Sequence, residues 1–179
     1  MSGFRKLTES LVYEGTVVRL ARARFEAPDG SVFERDVVHH PGAVVVVPLL
    51  DDGRALLVRQ YRAAIEQPLL ELPAGKRDVA GEPPEVTAAR ELAEEVGRRP
   101  GRLDLLARFY NSPGFSDELS WLFLARDLEE VDHDRQGIEE HAMTLEEVPL
   151  AAVPSLIRAG QLIDAKTIIG LTLAAQAVA

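Results

Sequence analysis

The stretch from Glu71 to Arg98, ELPAGKRDVAGEPPEVTAARELAEEVGR, constrains the fold more than any other part of the chain. It has the pattern of a strand end, a glycine-containing loop and a short helix, which is expected to start at Pro83-Pro84 and to end at Gly97. With about 3.6 residues per helical turn, Glu91, Glu94 and Glu95 share one face of that helix. We expect the opposite face to pack on a core through its apolar side chains, Val86, Ala89, Leu92, Ala93 and Val96. The pattern therefore predicts an amphipathic helix with an acidic face.

The acidic face requires compensation, because like charges one turn apart destabilise a helix by about 0.2–0.5 kcal/mol per pair. Arg90 and Arg98 lie four residues on either side of Glu94 and can pair with it. Glu91 has no basic residue at helical contact spacing. Carboxylate oxygens are preferred ligands of Mg²⁺ and Mn²⁺. On spacing alone, a solvated acidic face and a metal site are equally open.

Eight positions of this stretch resemble the signature of the Nudix hydrolases: Gly75, Glu82, Arg90, Glu91, Leu92, Glu94, Glu95 and Gly97. The chain departs from that signature by one extra residue between Gly75 and Glu82 and by Arg98, where a hydrophobic residue is usual. The insertion lies in a loop, where length changes are tolerated, so it affects the position of Glu82 more than the helix.

Two further segments resemble the ADP-ribose pyrophosphatase branch of that family: ELPAG at 71–75 and SPGFSDE at 112–118. The resemblance implies hydrolysis of ADP-ribose to AMP and ribose 5-phosphate. It also implies that Mg²⁺, or Mn²⁺, is held by Glu91, Glu94, Glu95 and the carbonyl of Ala74. Proline and glycine within ELPAG would bend the strand so that this carbonyl faces the acidic helix.

Several charged residues become candidates for catalysis and phosphate binding through resemblance to Nudix enzymes, and VRQYR resembles the pattern of the nucleoside-diphosphate-sugar hydrolases among them. Arg59 and Arg62, in the segment VRQYR, carry planar guanidinium groups that match phosphate oxygens. Charged residues also mark ordinary strand ends, so that reading stays open. We expect Arg90 to brace the carboxylates. Related enzymes place a glutamate just before a strand such as AMTLEEV, so Glu139, with Glu140 as the alternative, is expected to deprotonate the attacking water.

Substrate recognition is assigned to four other residues. Phe115 is an apolar residue in a polar turn, so we expect it to stack on the substrate or close over it. The resemblance implies that Arg35, supplied by a partner subunit, contacts the nucleobase. Glu71 and Gly75, at the two ends of ELPAG, complete the predicted substrate-binding set.

Composition excludes several other kinds of site. The chain has 179 residues, 46% of them hydrophobic, which suffices for a sizeable core. Its net charge of −9 argues against nonspecific nucleic-acid binding, and the absence of cysteine excludes disulfides, zinc-thiolate sites and cysteine nucleophiles. The chain opens without a signal-peptide pattern, and its longest apolar run, 43–50, is too short to span a bilayer. We expect no membrane partner and a cytoplasmic location.

The order of elements predicts an α/β/α sandwich with a mixed sheet and an N-terminal antiparallel β appendage. Residues 9–40 have the pattern of a β meander with a turn at Pro28-Asp29-Gly30, so we divide the chain into residues 1–42 and a catalytic domain, 43–179. AVVVVPLL and ALLVRQYR are expected to pair as a buried hairpin. Two closing helices are expected at 148–159 and 165–178. The resemblance further implies a homodimer in which the β appendage is exchanged between subunits.

Two alternatives remain open at this point. The enzyme could act on another nucleotide sugar, such as GDP-mannose, because contacts to base and sugar are not legible in the sequence. A different class is a Nudix-fold sensor that binds ADP-ribose without cleaving it. Such regulators usually carry a DNA-binding segment and lose helix glutamates, whereas this chain has no basic helical extension and keeps all three glutamates.

Overall fold

The computed structural model describes residues 3–132 and 141–178, and this part of the chain contains ten strands and three α-helices. The strands are β1 (Arg5–Glu14), β2 (Arg19–Glu26), β3 (Val32–His39), β4 (Ala43–Pro48), β5 (Arg54–Arg62), β6 (Gln67–Glu71), β7 (Ala74–Lys76), β8 (Arg98–Tyr110), β9 (Leu119–Glu130) and β10 (Thr144–Pro149). The helices are α1 (Pro84–Val96), α2 (Val153–Arg158) and α3 (Ala165–Ala177), and a 3-10 helix at Leu150–Ala152 precedes α2. None of the helices in these described ranges has the length and hydropathy of a membrane span.

The chain divides into two compact units. The first comprises Met1–Gly42 together with Phe109–Ser120, and the second comprises Ala43–Arg108 together with Trp121–Ala179. The sequence did not indicate that residues 109–120 belong with the N-terminal strands. The assignment of 1–42 and 43–179 as two separate domains stays a prediction.

The first unit contains a three-stranded antiparallel sheet in the order β1-β2-β3. The turn between β2 and β3 forms where proline, aspartate and glycine indicated it. Gly30 has a φ of 82°, and its N–H donates a hydrogen bond to the Ala27 carbonyl at 2.9 Å. The Asp29 carboxylate accepts from the backbone N–H of Ser31 at 3.0 Å. The predicted N-terminal meander is thereby confirmed.

The second unit contains two sheets, β7-β4-β9-β8 and β10-β5-β6. Strand β4 is buried along its whole length, and its alternate side chains face different helices. Val44 and Val46 belong to one core cluster with Ala88 and Leu92 of α1, whereas Val47 lies against α3. This arrangement of helix, sheet and helix confirms the predicted α/β/α sandwich.

The predicted hairpin between the two buried strands was wrong. β4 pairs in the four-stranded sheet and β5 in the three-stranded sheet, and a single bridge between Leu49 and Ala55 joins their ends. The turn itself is present, since the Leu50 N–H donates to the Arg54 carbonyl at 2.8 Å. A tight turn reverses the chain, but it does not fix which strands become neighbours beyond its first residues.

Helix α1 begins and ends where proline and glycine indicated. Pro83 is its N-cap, and Gly97 ends it in a left-handed conformation with a φ of 67°. The predicted apolar face was wrong in part, because Val86 is 51% exposed. The buried residues of the helix are Thr87, Ala88, Leu92, Glu95 and Val96. The buried face is therefore rotated toward the acidic side and includes one of the three glutamates.

The first of the two closing helices, expected at 148–159, begins later than the sequence indicated. Residues 144–149 form strand β10, and α2 covers Val153–Arg158 after the 3-10 turn. Pro154 lies in the first turn of α2, where its missing N–H costs nothing, so it marks the start of the helix.

Packing between α3 and the sheet predicts a destabilising effect of Gly170→Ala. A Cβ at Gly170 would lie 2.4 Å from Leu72 Cδ1 and 3.1 Å from Leu122 Cδ1, both in the core. We expect the substitution to lower the free energy of unfolding by about 1–3 kcal/mol in urea titrations. Gly114→Ala is the matched control, because a Cβ there meets nothing within 4 Å. Equal unfolding midpoints for the two variants would contradict this account of the packing.

Candidate active site

Arg90 lies at the centre of the charged cluster on α1. Its Nη1 is 2.9 Å from Glu91 Oε1 and 3.1 Å from Glu94 Oε2, and its Nη2 is 3.4 Å from Glu82 Oε2. This corrects the expectation that no basic residue of the helix neutralises Glu91. Helical spacing considers residues three and four positions apart, but an arginine side chain is long enough to fold back onto the adjacent carboxylate.

Glu82 occupies a defined position despite the extra residue before it. Its carboxylate accepts a hydrogen bond from the Thr87 hydroxyl at 2.8 Å in addition to its contact with Arg90. The Arg77 guanidinium donates to the Glu82 carbonyl at 3.2 Å and lies 5.7 Å from the centroid of the Trp121 ring. Trp121 thus supports the loop before α1.

Gly75 provides the space that the Glu91 carboxyl group occupies. A Cβ at Gly75 would lie 1.9 Å from Glu91 Cδ, far inside any allowed contact. Any larger residue at this position would displace the carboxylate. The glycine of the motif therefore fixes how closely β7 and α1 approach each other.

The Glu91 carboxyl group is difficult to ionise where it lies. Its side chain is 14% exposed, and burial raises its pKa to about 7, with further increases from Glu94 and Asp78. Arg90 acts in the opposite direction but does not cancel the effect. A carboxyl group with this pKa gains from a nearby cation, because positive charge favours the ionised form.

Glu95 and Ala74 are in direct contact. Glu95 is 5% exposed, and its Oε2 accepts a hydrogen bond from the Ala74 N–H at 3.2 Å. Ala74 pairs with Val45 of β4, so the strand holds this backbone beside the helix. The structure thereby brings Ala74, Glu94, Glu95 and the Glu91–Gly75 pair into one region.

The donor atoms in this region are of the type that a hard divalent cation requires. They are carboxylate and carbonyl oxygens. Glu95 is buried, and Gly75 leaves room for the partly buried carboxyl group of Glu91. Within residues 3–132 and 141–178, however, no three His, Cys, Asp or Glu side chains are grouped as they would be around an ion. The positive charge that pairs with Glu91 and Glu94 is instead the guanidinium group of Arg90.

Glu71 and Arg62, both predicted to bind substrate, bind each other. Glu71 is buried, and its Oε2 accepts from the Arg62 Nε at 2.9 Å and from the Gln60 side-chain amide at 3.2 Å. Arg62 adds a second bond to the same oxygen at 2.5 Å. The Arg62 guanidinium is thus directed toward β6.

Arg59 pairs with Glu146 of β10 through two hydrogen bonds, one of them at 3.2 Å. Both side chains are well exposed to solvent. An exposed ion pair contributes little to stability, so a phosphate group can compete for this guanidinium at low cost. Of the two predicted phosphate ligands, Arg59 has the exposed partner, whereas Arg62 is bound to the buried Glu71.

Arg35 and Phe115 lie together in the first unit. They share an open pocket of about 220 Å³ with Phe25, Asp36, Val37, Pro113, Gly114, Ser116 and Asp117. Phe115 is 58% exposed, while its carbonyl accepts a hydrogen bond from the Val38 N–H at 2.7 Å. The Arg35 guanidinium lies 4.7 Å from the centroid of the Phe33 ring. The pocket combines a fixed backbone with an aromatic face and a cation.

The sequence did not reveal that Asp117 and His39 contact each other. The His39 Nδ1 lies 2.5 Å from Asp117 Oδ2, and its Nε2 lies 3.1 Å from Glu9 Oε1. The hydrogen bond with Asp117 is the main cause of a raised pKa for His39, and Glu9 adds to it. Asp117 also accepts from the His40 N–H at 2.8 Å. Partners 78 residues apart along the chain leave no local spacing signal.

The proposed general bases, Glu139 and Glu140, lie outside the described residues. Their assignment stays a prediction.

The fold and the site together define an α/β protein in which an acidic helix is packed against the glycine-containing strand β7. The NUDIX domain family matches residues 38–163 of the chain. The chain therefore belongs to the Nudix family, and the resemblance found in its motif is confirmed.

The chain is similar to two known relatives and to one solved structure. It is 37% identical over 163 residues to an ADP-ribose pyrophosphatase of Bacillus subtilis, covering 91% of this chain and 88% of that protein. It is 39% identical over 168 residues to an ADP-ribose pyrophosphatase of Mycobacterium tuberculosis, covering 94% of this chain and 81% of that protein. A solved structure described as an ADP compounds hydrolase matches with a TM-score of 0.84 and 23% identity, covering 98% of this chain and 94% of that one. The predicted Nudix-type fold is confirmed.

The raised pKa of Glu91 predicts a pH-dependent stability of the metal-free protein. Folding shifts this pKa from an ordinary 4.5 to about 7, so the folded state binds the proton more tightly than the unfolded state does. The resulting stabilisation is complete below pH 4.5 and is lost as pH rises through 7. Over this pH range the free energy of unfolding of the wild type should fall by about 2–3 kcal/mol, and Glu91→Gln should abolish this fall. Urea unfolding in the presence of chelator measures both.

Glu85→Gln, an exposed position on the same helix, is the control and should keep the wild-type profile. If Glu91→Gln loses stability with pH as steeply as the wild type, the desolvation of Glu91 is not what governs this range.

Proposed function

We propose that the protein hydrolyses the pyrophosphate bond of ADP-ribose, giving AMP and ribose 5-phosphate. The observation that carries this proposal is the packing of Glu91 over Gly75, with Glu95 on Ala74, in a Nudix chain. The identities of 37% and 39% with two ADP-ribose pyrophosphatases support the choice of substrate.

Mg²⁺, or Mn²⁺ in its place, is the proposed cofactor. The carboxylates of Glu91, Glu94 and Glu95 and the carbonyl of Ala74 would hold it. When bound, the cation neutralises diphosphate charge and makes a coordinated water more acidic. Arg90 braces the same carboxylates, since it contacts both Glu91 and Glu94 at about 3 Å.

The diphosphate is bound by Arg59 in this proposal. Its exposed pair with Glu146 leaves the guanidinium accessible, whereas Arg62 keeps its bonds to the buried Glu71 and contributes its charge from a fixed position. Glu139 takes the proton of the attacking water, with Glu140 as the alternative base.

We assign the nucleobase to the pocket that contains Arg35 and Phe115, supplied by a partner subunit of the proposed homodimer. An exposed aromatic ring offers a stacking surface, and a guanidinium adds hydrogen bonds or a cation–π contact. The backbone bond from Val38 to Phe115 keeps that surface in place.

We also propose that the chain forms a homodimer through β1. Every residue of this strand is exposed, and the strand lies at the edge of its sheet. Its large apolar side chains are Leu7, Leu11, Val12 and Tyr13. A long apolar edge strand without cover is a typical association surface. The cytoplasmic location expected from the sequence remains a prediction.

Glu95→Gln tests the catalytic proposal. We expect purified protein with Mg²⁺ to release AMP from ADP-ribose, and the variant to lose about 100-fold or more in kcat while it stays folded. The measurement is product analysis by chromatography, with thermal unfolding as the check on folding. Glu85→Gln, exposed on the same helix, should retain wild-type activity.

A panel with GDP-mannose and other nucleoside diphosphate derivatives separates the alternatives. A large preference for GDP-mannose would make the substrate choice wrong. Tight binding of ADP-ribose with no metal-dependent product would favour the sensor.

Leu11→Asp with Tyr13→Asp tests the dimer. Charges on the exposed edge of β1 should convert the dimer to a monomer, because burying them without partners is unfavourable. Sedimentation velocity measures the oligomeric state, and Leu105→Asp, which places the same charge at an exposed apolar position outside β1, is the control that should remain dimeric. A wild-type protein that sediments as a monomer over the same concentration range would refute the proposal.

A further inference from the structure

One buried hydroxyl joins helix α3 to the backbone that leads to Ala74. Thr167 is completely buried in the first turn of α3. Its Oγ1 accepts a hydrogen bond from the Leu72 N–H at 2.8 Å and donates one to Asp164 Oδ2 at 2.7 Å. Leu72 precedes Ala74 by two residues. The hydroxyl therefore connects the N-terminus of α3 to the segment between β6 and β7.

The direction of these two bonds follows from the ionisation of Asp164. This residue caps α3, accepting from the Thr167 N–H at 2.9 Å, and it also contacts Lys166 Nζ at 2.7 Å. Burial alone would raise the pKa of Asp164, but Lys166 and Thr167 outweigh burial and lower it. An ionised carboxylate can only accept, so the Thr167 hydroxyl donates its proton to Asp164 and offers a lone pair to Leu72.

Other elements hold the same segment at neighbouring positions. Glu71 is bound by Arg62, the Pro73 carbonyl accepts from the Val46 N–H at 3.0 Å, and the Ala74 N–H donates to Glu95 at 3.2 Å. Pro73 has no N–H of its own to offer. Strands β4 and β5 and helix α1 thus hold this segment at other residues. The hydrogen bond between the Leu72 N–H and Thr167 is what helix α3 adds.

Side-chain packing brings α3 against the same residue. A Cβ at Gly170 would come within 2.4 Å of Leu72 Cδ1, so the helix leaves no free space there. Thr167 and Gly170 lie three residues apart and share a helix face. Leu72 is therefore held by α3 through both its backbone and its side chain.

We propose that Thr167 is a positioning residue for the divalent-cation site. Its hydroxyl, oriented by Asp164, fixes the Leu72 backbone and through it the Ala74 carbonyl and the Ala74–Glu95 bond. The inference rests on the proposed function, because it assigns the cation to these oxygens. Replacing a residue that orients a metal ligand without contacting the metal typically weakens metal affinity by about 10–100-fold.

Thr167→Val and Thr167→Ser form the test pair. Valine keeps the shape of threonine but removes the hydroxyl, whereas serine keeps the hydroxyl. The primary readout is Mn²⁺ affinity of the purified metal-free protein, measured by electron paramagnetic resonance. We expect Thr167→Val to bind Mn²⁺ about 10-fold more weakly and Thr167→Ser to recover most of the affinity.

Leu171→Val is the control for lost stability. Leu171 is buried on the same helix, so its truncation weakens α3 while it leaves the hydrogen bond to Leu72 intact. This variant should bind Mn²⁺ like the wild type. If Thr167→Val keeps wild-type affinity, or if both variants lose affinity in proportion to their loss of stability, Thr167 has only a structural role and the proposal is wrong.

Kinetics provide a second, independent readout. With ADP-ribose as substrate, Thr167→Val should raise the Mg²⁺ concentration needed for half-maximal rate and recover kcat at saturating Mg²⁺, with KM for ADP-ribose unchanged. A wild-type protein that binds Mn²⁺ but cleaves nothing would refute the proposed function, while the Mn²⁺ comparison still decides the role of Thr167. A wild-type protein that binds no Mn²⁺ would refute both.

Discussion

The close approach of the Glu91 carboxyl group to the Gly75 backbone is the constraint on which the rest of the site depends. Only glycine permits it, since a Cβ would lie 1.9 Å from Glu91 Cδ. The contact buries an acid and raises its pKa to about 7, a cost that Arg90 reduces by pairing with it. A site built this way favours an added positive charge, because a cation relieves the cost of ionising a buried carboxyl group.

The backbone from Glu71 to Gly75 is the common point to which distant elements attach. Strand β5 holds Glu71 through Arg62, α3 holds Leu72 through Thr167, β4 holds Pro73, and α1 holds Ala74 through Glu95. Each attachment satisfies a buried polar group that would otherwise be costly. The segment thus gains its rigidity from tertiary contacts, since it lacks a helix or a long strand of its own.

Local signals predicted the features that depend on local geometry. Pro84 and Gly97 marked the ends of α1, and the unbroken apolar run of β4 indicated burial on both faces. The same signals failed where the answer depended on distant residues. The turn signal wrongly predicted that β4 pairs with β5, and helical spacing did not predict the ion pair between Arg90 and Glu91. Turn residues fix a change of direction, and helical spacing fixes a face, but neither fixes a partner.

The sequence by itself determined the family, the α/β/α class and the set of acidic residues on one helix, because these follow from residue types at fixed spacing. Only the tertiary structure decided that Glu95 is buried against Ala74, that Arg62 is bound to Glu71, and that Thr167 reaches Leu72. Leu72 and Thr167 are 95 residues apart, so their contact depends on how two elements pack. Packing is a property of the whole core, and no local pattern contains it.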